Sequence, residues 1–206
     1  MLRLPSLDIE YIYPLLRQVI TPEQISDISN LENIQQSALS KTLFDYRDQL
    51  HRLPVLSQVS AADYLGYTQH TLLKDTDQMS MAVALEVREP FFDTDLVQYV
   101  LGIPDHFKHP AYPKSLLVES VKPLLPDEIV FRKKQGFIFP WQLWLKNELK
   151  SFCEERIKKL CQREFIHSDN LWKYWKKFLH NDPSIRWAEV WLFVVLEYWL
   201  EKNDVN

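Results

Sequence analysis

Apolar residues recur at helical spacing along most of the chain, and this pattern predicts a succession of helices joined by turns. Thr21 and Gln24 form a capping box with Pro22 in the first turn, so one helix begins there. Apolar positions from Leu31 onwards then predict a long amphipathic helix that runs to about Leu53, with a break near Asn30 left open.

The middle of the chain contains further helix-start signals. Ser60 and Asp63 form a second capping box, which predicts a helix from there to about Lys74. A short helix is expected over residues 79–85, and Asp93 or Thr94 caps another that ends at Leu101. Periodicity predicts additional helices over residues 113–124, 140–150, 152–161 and 169–180.

The last helix is the clearest prediction, with Ser184 as its expected cap. Its apolar positions share one stripe: Trp187, Trp191, Val194, Val195 and Tyr198. An aromatic stripe can stack on an adenine ring, but a core role is favoured because no polar residues converge on it. Strand signals are weak throughout, so we expect a mainly α fold forming a single domain over residues 1–206.

Composition narrows the class of protein. The 206 residues are 46% hydrophobic, enough for a core, and the net charge of −4 with interspersed basic residues argues against nucleic-acid binding. The longest apolar run, from Val190 to Leu196, is too short to span a membrane, and no signal peptide is evident, so a cytoplasmic location is expected. Cys153 and Cys161 are too far apart along a helix for a disulfide, and no local cluster at ligand spacing predicts a metal site.

Two segments combine apolar residues with fixed charges: DQMSMAVALEVREPFFD at residues 77–93 and LPDEIVFRKKQGFIFP at residues 125–140. Both resemble the synthetase domain of the asparagine synthetase family. Residues 77–93, DQMSMAVALEVREPFFD, resemble DRMSMAxxLEVRxPFLD, with Phe92 where the family usually has Leu. Residues 125–140 fit LPxxIxxRxKxGFxxP, and the tryptophan-rich end resembles the family's closing helix. The resemblance covers about residues 64–200, and residues 1–60 form a helical lead-in. We expect the SMAVALEV stretch to be buried.

The resemblance implies the helical C-terminal portion of an adenine-nucleotide α-hydrolase-like α/β domain. Complete family members also carry a glutaminase domain that opens on a catalytic cysteine, an SGGxDS loop that binds ATP and a GADExxGGY motif, and none of the three occurs in this sequence. Gly66, Gly102 and Gly136 are too far apart to form a phosphate cradle. We therefore expect the nucleotide-binding sheet and loop to be absent or incomplete, and a missing N-terminal half to act in cis or in trans.

The family's chemistry implies ATP and magnesium as cofactors, with aspartate and ammonia as substrates. The aspartate side chain attacks the α-phosphate, pyrophosphate leaves, and ammonia then displaces AMP. Both steps build negative charge on oxygen, which a fixed cation stabilises preferentially in the transition state. By its position in RxKxGF, Lys134 resembles the lysine with that role in the family, so it is the catalytic candidate. Arg132 either binds phosphate or holds the loop, and Lys133 is expected at the surface.

The other candidates come from the first segment and from the glycine of the second. Asp77 is a candidate substrate contact, and Glu86, Arg88 and Asp93 are expected to be structural. Glu86 and Arg88 would share one side of an extended strand, and Arg88 is expected to pair with Asp93 or Asp77. The resemblance implies that Gly136 lets the loop turn closely around the nucleotide.

Three functions remain open. The first is a fragment or subunit of a glutamine-hydrolysing asparagine synthetase that is inactive without its other half. The second is an amidotransferase of the same family that acts on another carboxylate. The third is a non-catalytic helical remnant that acts as a binding module. Self-association into a homo-oligomer is left open.

Overall fold

The computed structural model describes residues 5–31, 37–108, 112, 114–133, 135, 136 and 139–205. Within these residues the protein is helical, with no named strand and one isolated antiparallel bridge, between Ser29 and Ile166. The α-helices are α1 Ile9–Arg17, α2 Pro22–Ile28, α3 Ala38–Asp45, α4 Arg47–Leu50, α5 Val55–Asp63, α6 Lys74–Met81, α7 Thr94–Gly102, α8 Asp105–Lys108, α9 Ser115–Val121, α10 Asp127–Val130, α11 Trp141–Lys146, α12 Lys150–Leu160, α13 Ser168–Leu179 and α14 Trp187–Lys202. The mainly α prediction is confirmed for the described residues.

Two compact units make up the chain. The first consists of Met1–Leu16 and Gln36–Gln135, and the second of Arg17–Gln35 and Gly136–Asn206. The boundary between Gln135 and Gly136 falls inside the second family-like segment, and α1 ends one residue beyond the first unit. The prediction of a single domain stays a prediction.

The first unit has a small core in which α1, α3 and α4 meet the helix that α5 begins. That helix continues through a π-helical stretch, Tyr64–Leu73, into α6. Gly66 lies in this stretch, and a Cβ built there would be 2.7 Å from Leu39 Cδ1, so a larger residue would force the Leu39 side chain to move. The fully packed apolar residues are Tyr13, Leu43, Leu50 and Ala62. Neither α6 nor α7 contributes a buried residue.

The second unit has the larger core, formed chiefly where α12 and α13 pack against α14. Its buried residues are Ile28, Leu145, Cys153, Ile157, Leu160, Leu171, Trp175, Phe178, Val190, Phe193, Val194 and Leu200. Two buried carboxylates on α14 are fully engaged. Arg163 donates to Glu197 from Nε at 2.5 Å and from Nη2 at 3.0 Å, and Arg186 Nε donates to Glu189 at 2.7 Å. Glu197 therefore ties α14 to the turn that follows α12, whereas Glu189 caps the start of α14.

Local signals predicted two helix starts correctly. The capping box of Thr21 and Gln24 is present in both directions, and the Asp93 side chain caps α7 by accepting from the backbone N–H groups of Asp95 and Leu96, each at 3.1 Å. Four other predictions were wrong in whole or in part. The short helix expected over residues 79–85 is displaced, because α6 is Lys74–Met81 and residues 82–85 are not helical. The expected long helix up to Leu53 is broken into α3 and α4, and residues 32–36 lie outside the described part. The structure also contradicts the helix starts expected at Ser60 and Ser184.

Ser60 lies inside α5, where its hydroxyl donates to the Leu56 carbonyl at 3.0 Å instead of capping a helix. Ser184 lies in a turn, where it donates to the Asp182 carboxylate at 2.6 Å, and α14 begins after Arg186. The predicted stripe on α14 is also only partly correct, because Val194 is buried while Val195 and Tyr198 are exposed. The helix is apolar on all sides, so periodicity alone did not identify its inner face.

Candidate functional site

The segment that contains the catalytic candidate follows α10. Lys134 lies outside the described residues, as do Phe137 and Ile138, so its assignment stays a prediction. Arg132 and Lys133 are exposed. Gly136 is also exposed, and apart from its chain neighbours no heavy atom of the described residues lies within 4 Å of a Cβ built on it. Its expected role beside a nucleotide stays a prediction.

Asp77 lies on α6 and is exposed to solvent. Its backbone carbonyl accepts a hydrogen bond from the Ser80 hydroxyl at 3.1 Å. An exposed carboxylate on a helix surface is sterically available to a substrate or to another polypeptide. The structure therefore leaves the proposed substrate contact of Asp77 untested.

A local ion pair joins Glu86 and Arg88. Arg88 Nε donates to Glu86 Oε1 at 2.9 Å, in the extended stretch between α6 and α7. The side chains are 69% and 86% exposed, so this pair contributes little to stability, about 0–1 kcal/mol. The expected pairing of Arg88 with Asp93 or Asp77 is replaced by this pair, while Asp93 caps α7. Arg88 and Asp93 are thus each engaged by residues that lie close to them in the sequence.

The segment from Asp77 to Asp93, here called the motif segment, is exposed rather than buried as its composition suggested. Met79 and Val83 are each 75% exposed, Leu85 is 58% exposed and Phe91 is 61% exposed. Soluble proteins keep contiguous apolar surface of this kind mainly where another molecule or segment binds. The motif segment is therefore a candidate contact surface.

A left-handed residue ends the helix at the start of this exposed stretch. Leu85 N donates to Ser80 O at 3.0 Å and Ala84 N donates to Met81 O at 2.9 Å, which is the hydrogen-bond pattern of a Schellman cap on α6. Ala84 has a φ of 58°, where glycine is the usual residue. Ala84 is therefore locally strained, and its conformation turns residues 85–89 away from α6.

A polar network lies in the first unit and was not found from the sequence. Asp105 accepts from Ser57 Oγ at 2.7 Å and from the Leu56 backbone N–H at 2.8 Å, and Lys108 Nζ donates to Ser57 Oγ at 2.8 Å. Burial opposes ionisation of Asp105, but the hydrogen bonds outweigh it, so the pKa of its carboxyl is lowered. A serine beside a lysine can act as a nucleophile, but Ser57 is only 1% exposed, so a substrate cannot reach it. The network caps α5.

Each unit also contains one notable cavity. In the first unit an apolar groove of about 450 Å³ lies beside the motif segment, and its lining includes Leu53, Leu65, Leu73, Phe92, Val97 and Leu101. In the second unit a polar cleft of about 310 Å³ is lined by residues that include Asp27, Asn170, Lys173, Tyr174 and Lys177. Burial and a hydrogen bond to Glu189 raise the pKa of Tyr174, so this phenol stays protonated and acts as a donor.

An aromatic cluster follows the second family-like segment. Trp141 stacks on Trp187 with ring centroids 5.6 Å apart and also contacts Trp144 and Trp191 at 5.5 and 5.3 Å. All four rings are half-buried, and they pack against one another rather than line a slot. This supports the prediction that Trp187 and Trp191 pack against the core, whereas Trp199, the third tryptophan of α14, is 56% exposed.

The described part of the second family-like segment contains few groups of the kind that bind a triphosphate. A triphosphate requires backbone N–H groups in a glycine-rich loop or a convergence of cations. Among the described residues of the second family-like segment, Arg132 and Lys133 are the basic ones, both are exposed, and the glycines lie far apart. The expectation that most of the residues that bind ATP and magnesium lie outside this chain stays a prediction.

These features define a helical portion of a domain in which the charged motif segment is exposed to solvent. The sequence model of the family described as asparagine synthase matches residues 11–201. The chain therefore belongs to the asparagine synthase family, and the asparagine synthetases that it resembles are ligases. Among the residues that the structure describes, no helix is both long enough and apolar enough to cross a membrane.

Curated relatives support this membership. The chain is 26% identical to "Asparagine synthetase [glutamine-hydrolyzing] 1" of Bacillus subtilis (strain 168), over 92% of this chain and 32% of that protein. It is 32% identical to "Asparagine synthetase [glutamine-hydrolyzing] 3" of the same organism, over 63% of this chain and 22% of that protein. Amidase chyE of Penicillium rubens is 30% identical over 52% of this chain and 17% of its own length. The chain thus spans about a third or less of these relatives, and no solved structure matches.

Proposed function

We propose that this chain supplies the helical C-terminal part of an asparagine synthetase-type site. In this proposal a glutamine-hydrolysing enzyme adenylates aspartate with ATP and amidates it with ammonia in the cytoplasm. The observation that carries the proposal is the family match over residues 11–201, which includes both motif-bearing segments. The exposure of the motif segment supports it, because a surface that completes another segment's site must remain accessible.

Another part of the synthetase would complete this site. The relatives that the chain matches are about three times its length or more, and the first two are named for hydrolysing glutamine. The missing part would provide the glutaminase, the ATP loop and the sheet of an adenine-nucleotide α-hydrolase-like domain, together with most groups that hold ATP and magnesium. It would lie in the same polypeptide or in a partner chain, and it would contact the motif segment.

Within this proposal Lys134 provides the positive charge. An ammonium beside the phosphate stabilises the charge that develops when the aspartate carboxylate attacks, and the loss of such a group typically slows a reaction by about 100-fold or more. Arg132 is the second cation of the same loop and would either bind phosphate or hold the loop. Asp77 would contact the substrate or the other half.

The test of Lys134 is aspartate-dependent exchange of pyrophosphate with ATP. The chain is mixed with the ATP-loop half, taken from the neighbouring reading frame or from the Bacillus subtilis synthetase. We expect Lys134→Ala to reduce exchange by about 100-fold or more, because the transition-state charge loses its counter-charge. Lys133→Ala, a change of the adjacent exposed lysine, is the matched control and should stay within about twofold of the unchanged chain. Equal rates for the two variants would remove the assignment.

A second candidate function keeps the fold but changes the carboxylate substrate. The observation that favours it is the similarity to proteins named amidases, Amidase chyE and Amidase chry2, at 30% and 29% identity. The same exchange assay, run with a panel of carboxylic acids, separates the two functions. Exchange that depends on another acid and not on aspartate would favour this second function, and binding of the other half without any exchange would favour a non-catalytic module.

A further inference from the structure

Three ligand-type side chains in the first unit meet at the start of α1, and the proposed function does not use them. Glu10 lies in the first turn of α1, Asp8 precedes that helix, and His51 follows α4. One carboxylate oxygen of each acid and a ring nitrogen of His51 all lie within 4.8 Å of one another. The chain brings them together across 41 residues, so the cluster is a product of the fold.

The charges in this cluster do not balance. Glu10 is only 3% exposed, and His51 Nε2 lies 2.9 Å from its Oε2. The second carboxylate, Asp8, is exposed and accepts from the Ser6 hydroxyl at 2.6 Å. Even a protonated imidazole neutralises only one of two carboxylates, and a buried carboxylate is costly unless it is compensated. A bound cation would compensate both carboxylates.

We propose that Asp8, Glu10 and His51 form a binding site for one divalent transition-metal cation of the zinc or manganese class. Two carboxylate oxygens and one imidazole nitrogen suit these ions, whereas magnesium and calcium prefer oxygen ligands alone. Such ions hold their ligands at about 2.0–2.2 Å, so ligands lie up to about 4.2 Å apart around one centre. The observed spread needs only a small rotation of the exposed Asp8 side chain. Water would complete the coordination.

The bound cation would fasten the first helix to the body of the first unit. One turn after Glu10, Tyr13 is buried in the core of that unit. The cation would hold the start of α1 against His51, the residue that follows α4. Tyr13 already holds the middle of α1 in the core. The hydrogen bond from Ser6 orients the outer carboxylate, which is the role that second-layer partners play at metal sites. The site is independent of the asparagine synthetase proposal.

The experiment is titration of the chelator-treated 206-residue chain with ZnCl₂ and, separately, with MnCl₂ and MgCl₂, by calorimetry and by metal analysis after dialysis. We expect about one zinc per chain, weaker manganese binding and no saturable magnesium binding. Asp8→Asn and His51→Gln should each weaken zinc binding by about tenfold or more. Asp48→Asn is the matched control, since Asp48 is an exposed carboxylate three residues before His51 that pairs with Arg47.

Thermal unfolding provides a second measurement. Zinc should raise the unfolding midpoint of the unchanged chain and of Asp48→Asn, but not that of Asp8→Asn, because a ligand stabilises only the state that binds it. Asp8 is exposed, so its variant should fold even if His51→Gln does not, and circular dichroism checks this. Absence of stoichiometric zinc binding, or equal zinc affinity for Asp8→Asn and Asp48→Asn, would overturn the proposal.

Discussion

Ala84 is a residue of the motif segment whose backbone is locally strained. It has the left-handed φ of 58° in the cap of α6, a conformation that costs a residue with a Cβ about 1 kcal/mol. Ala84→Gly should therefore raise the free energy of unfolding by up to about 1 kcal/mol. Urea unfolding followed by circular dichroism measures the difference.

The matched control for this prediction is two residues earlier. Ala82 has the ordinary helical φ of −59°, so Ala82→Gly should lower the free energy of unfolding by about 0.5–1 kcal/mol. Opposite signs for the two substitutions would confirm that the backbone conformation, and not the loss of a methyl group, decides the effect. A loss of stability in both variants would contradict the strained cap.

At the scale of elements, α5 depends on a cap supplied from α8. Pro54 precedes α5 without a side-chain cap, and Asp105 accepts hydrogen bonds from Leu56 N and Ser57 Oγ instead. Asp105→Asn should lower the free energy of unfolding by about 1 kcal/mol at neutral pH. The matched control is Asp75→Asn, an exposed carboxylate of α6, which should change it by less than about 0.5 kcal/mol.

The lowered pKa of Asp105 gives this prediction a pH dependence. A carboxyl whose folded pKa lies below its usual value of 3.8 stabilises the folded state above that value and loses this contribution as the pH falls. The difference between the unchanged chain and Asp105→Asn should therefore shrink between about pH 5 and pH 3. Urea unfolding across this range tests it, and a difference that stays constant would show that ionisation of Asp105 does not matter.

The same helices show which caps can be predicted from the sequence alone. The caps at Thr21 and Asp93 were predictable because all their partners lie within three residues. The start of α5 was not, because its cap comes from Asp105, 48 residues after Ser57, and the local Ser60 signal was misleading. The cluster of Asp8, Glu10 and His51 was missed for the same reason, since local ligand spacing is the only metal signal that a single sequence offers.

At the scale of the whole molecule, the main surprise is the exposure of the motif segment. Its apolar residues suggested a core, but in the described residues most of them are exposed. The motif itself was predictable from residue order, as was the membership of the family that the match over residues 11–201 shows. Burial depends on what packs against a segment, which one sequence does not state.

This exposure predicts an effect of substitution on binding but not on folding. Val83→Asp should weaken association with the ATP-loop half by about tenfold or more, because a charge placed in an apolar contact is costly to desolvate. The unfolding free energy of the isolated chain should change by less than about 0.5 kcal/mol, since Val83 is 75% exposed. Leu16→Asp, at a residue that is 76% exposed outside the motif segment, is the matched control and should bind normally.

The central claim is that this chain completes, and does not itself contain, an aspartate-adenylating site. Aspartate-dependent exchange of pyrophosphate with ATP tests this claim most directly, measured first on the isolated chain and then with increasing amounts of the ATP-loop half. We predict no exchange by the isolated chain and a saturable rise as the other half is added. Exchange by the isolated chain, or exchange by the other half that this chain leaves unchanged, would contradict the account.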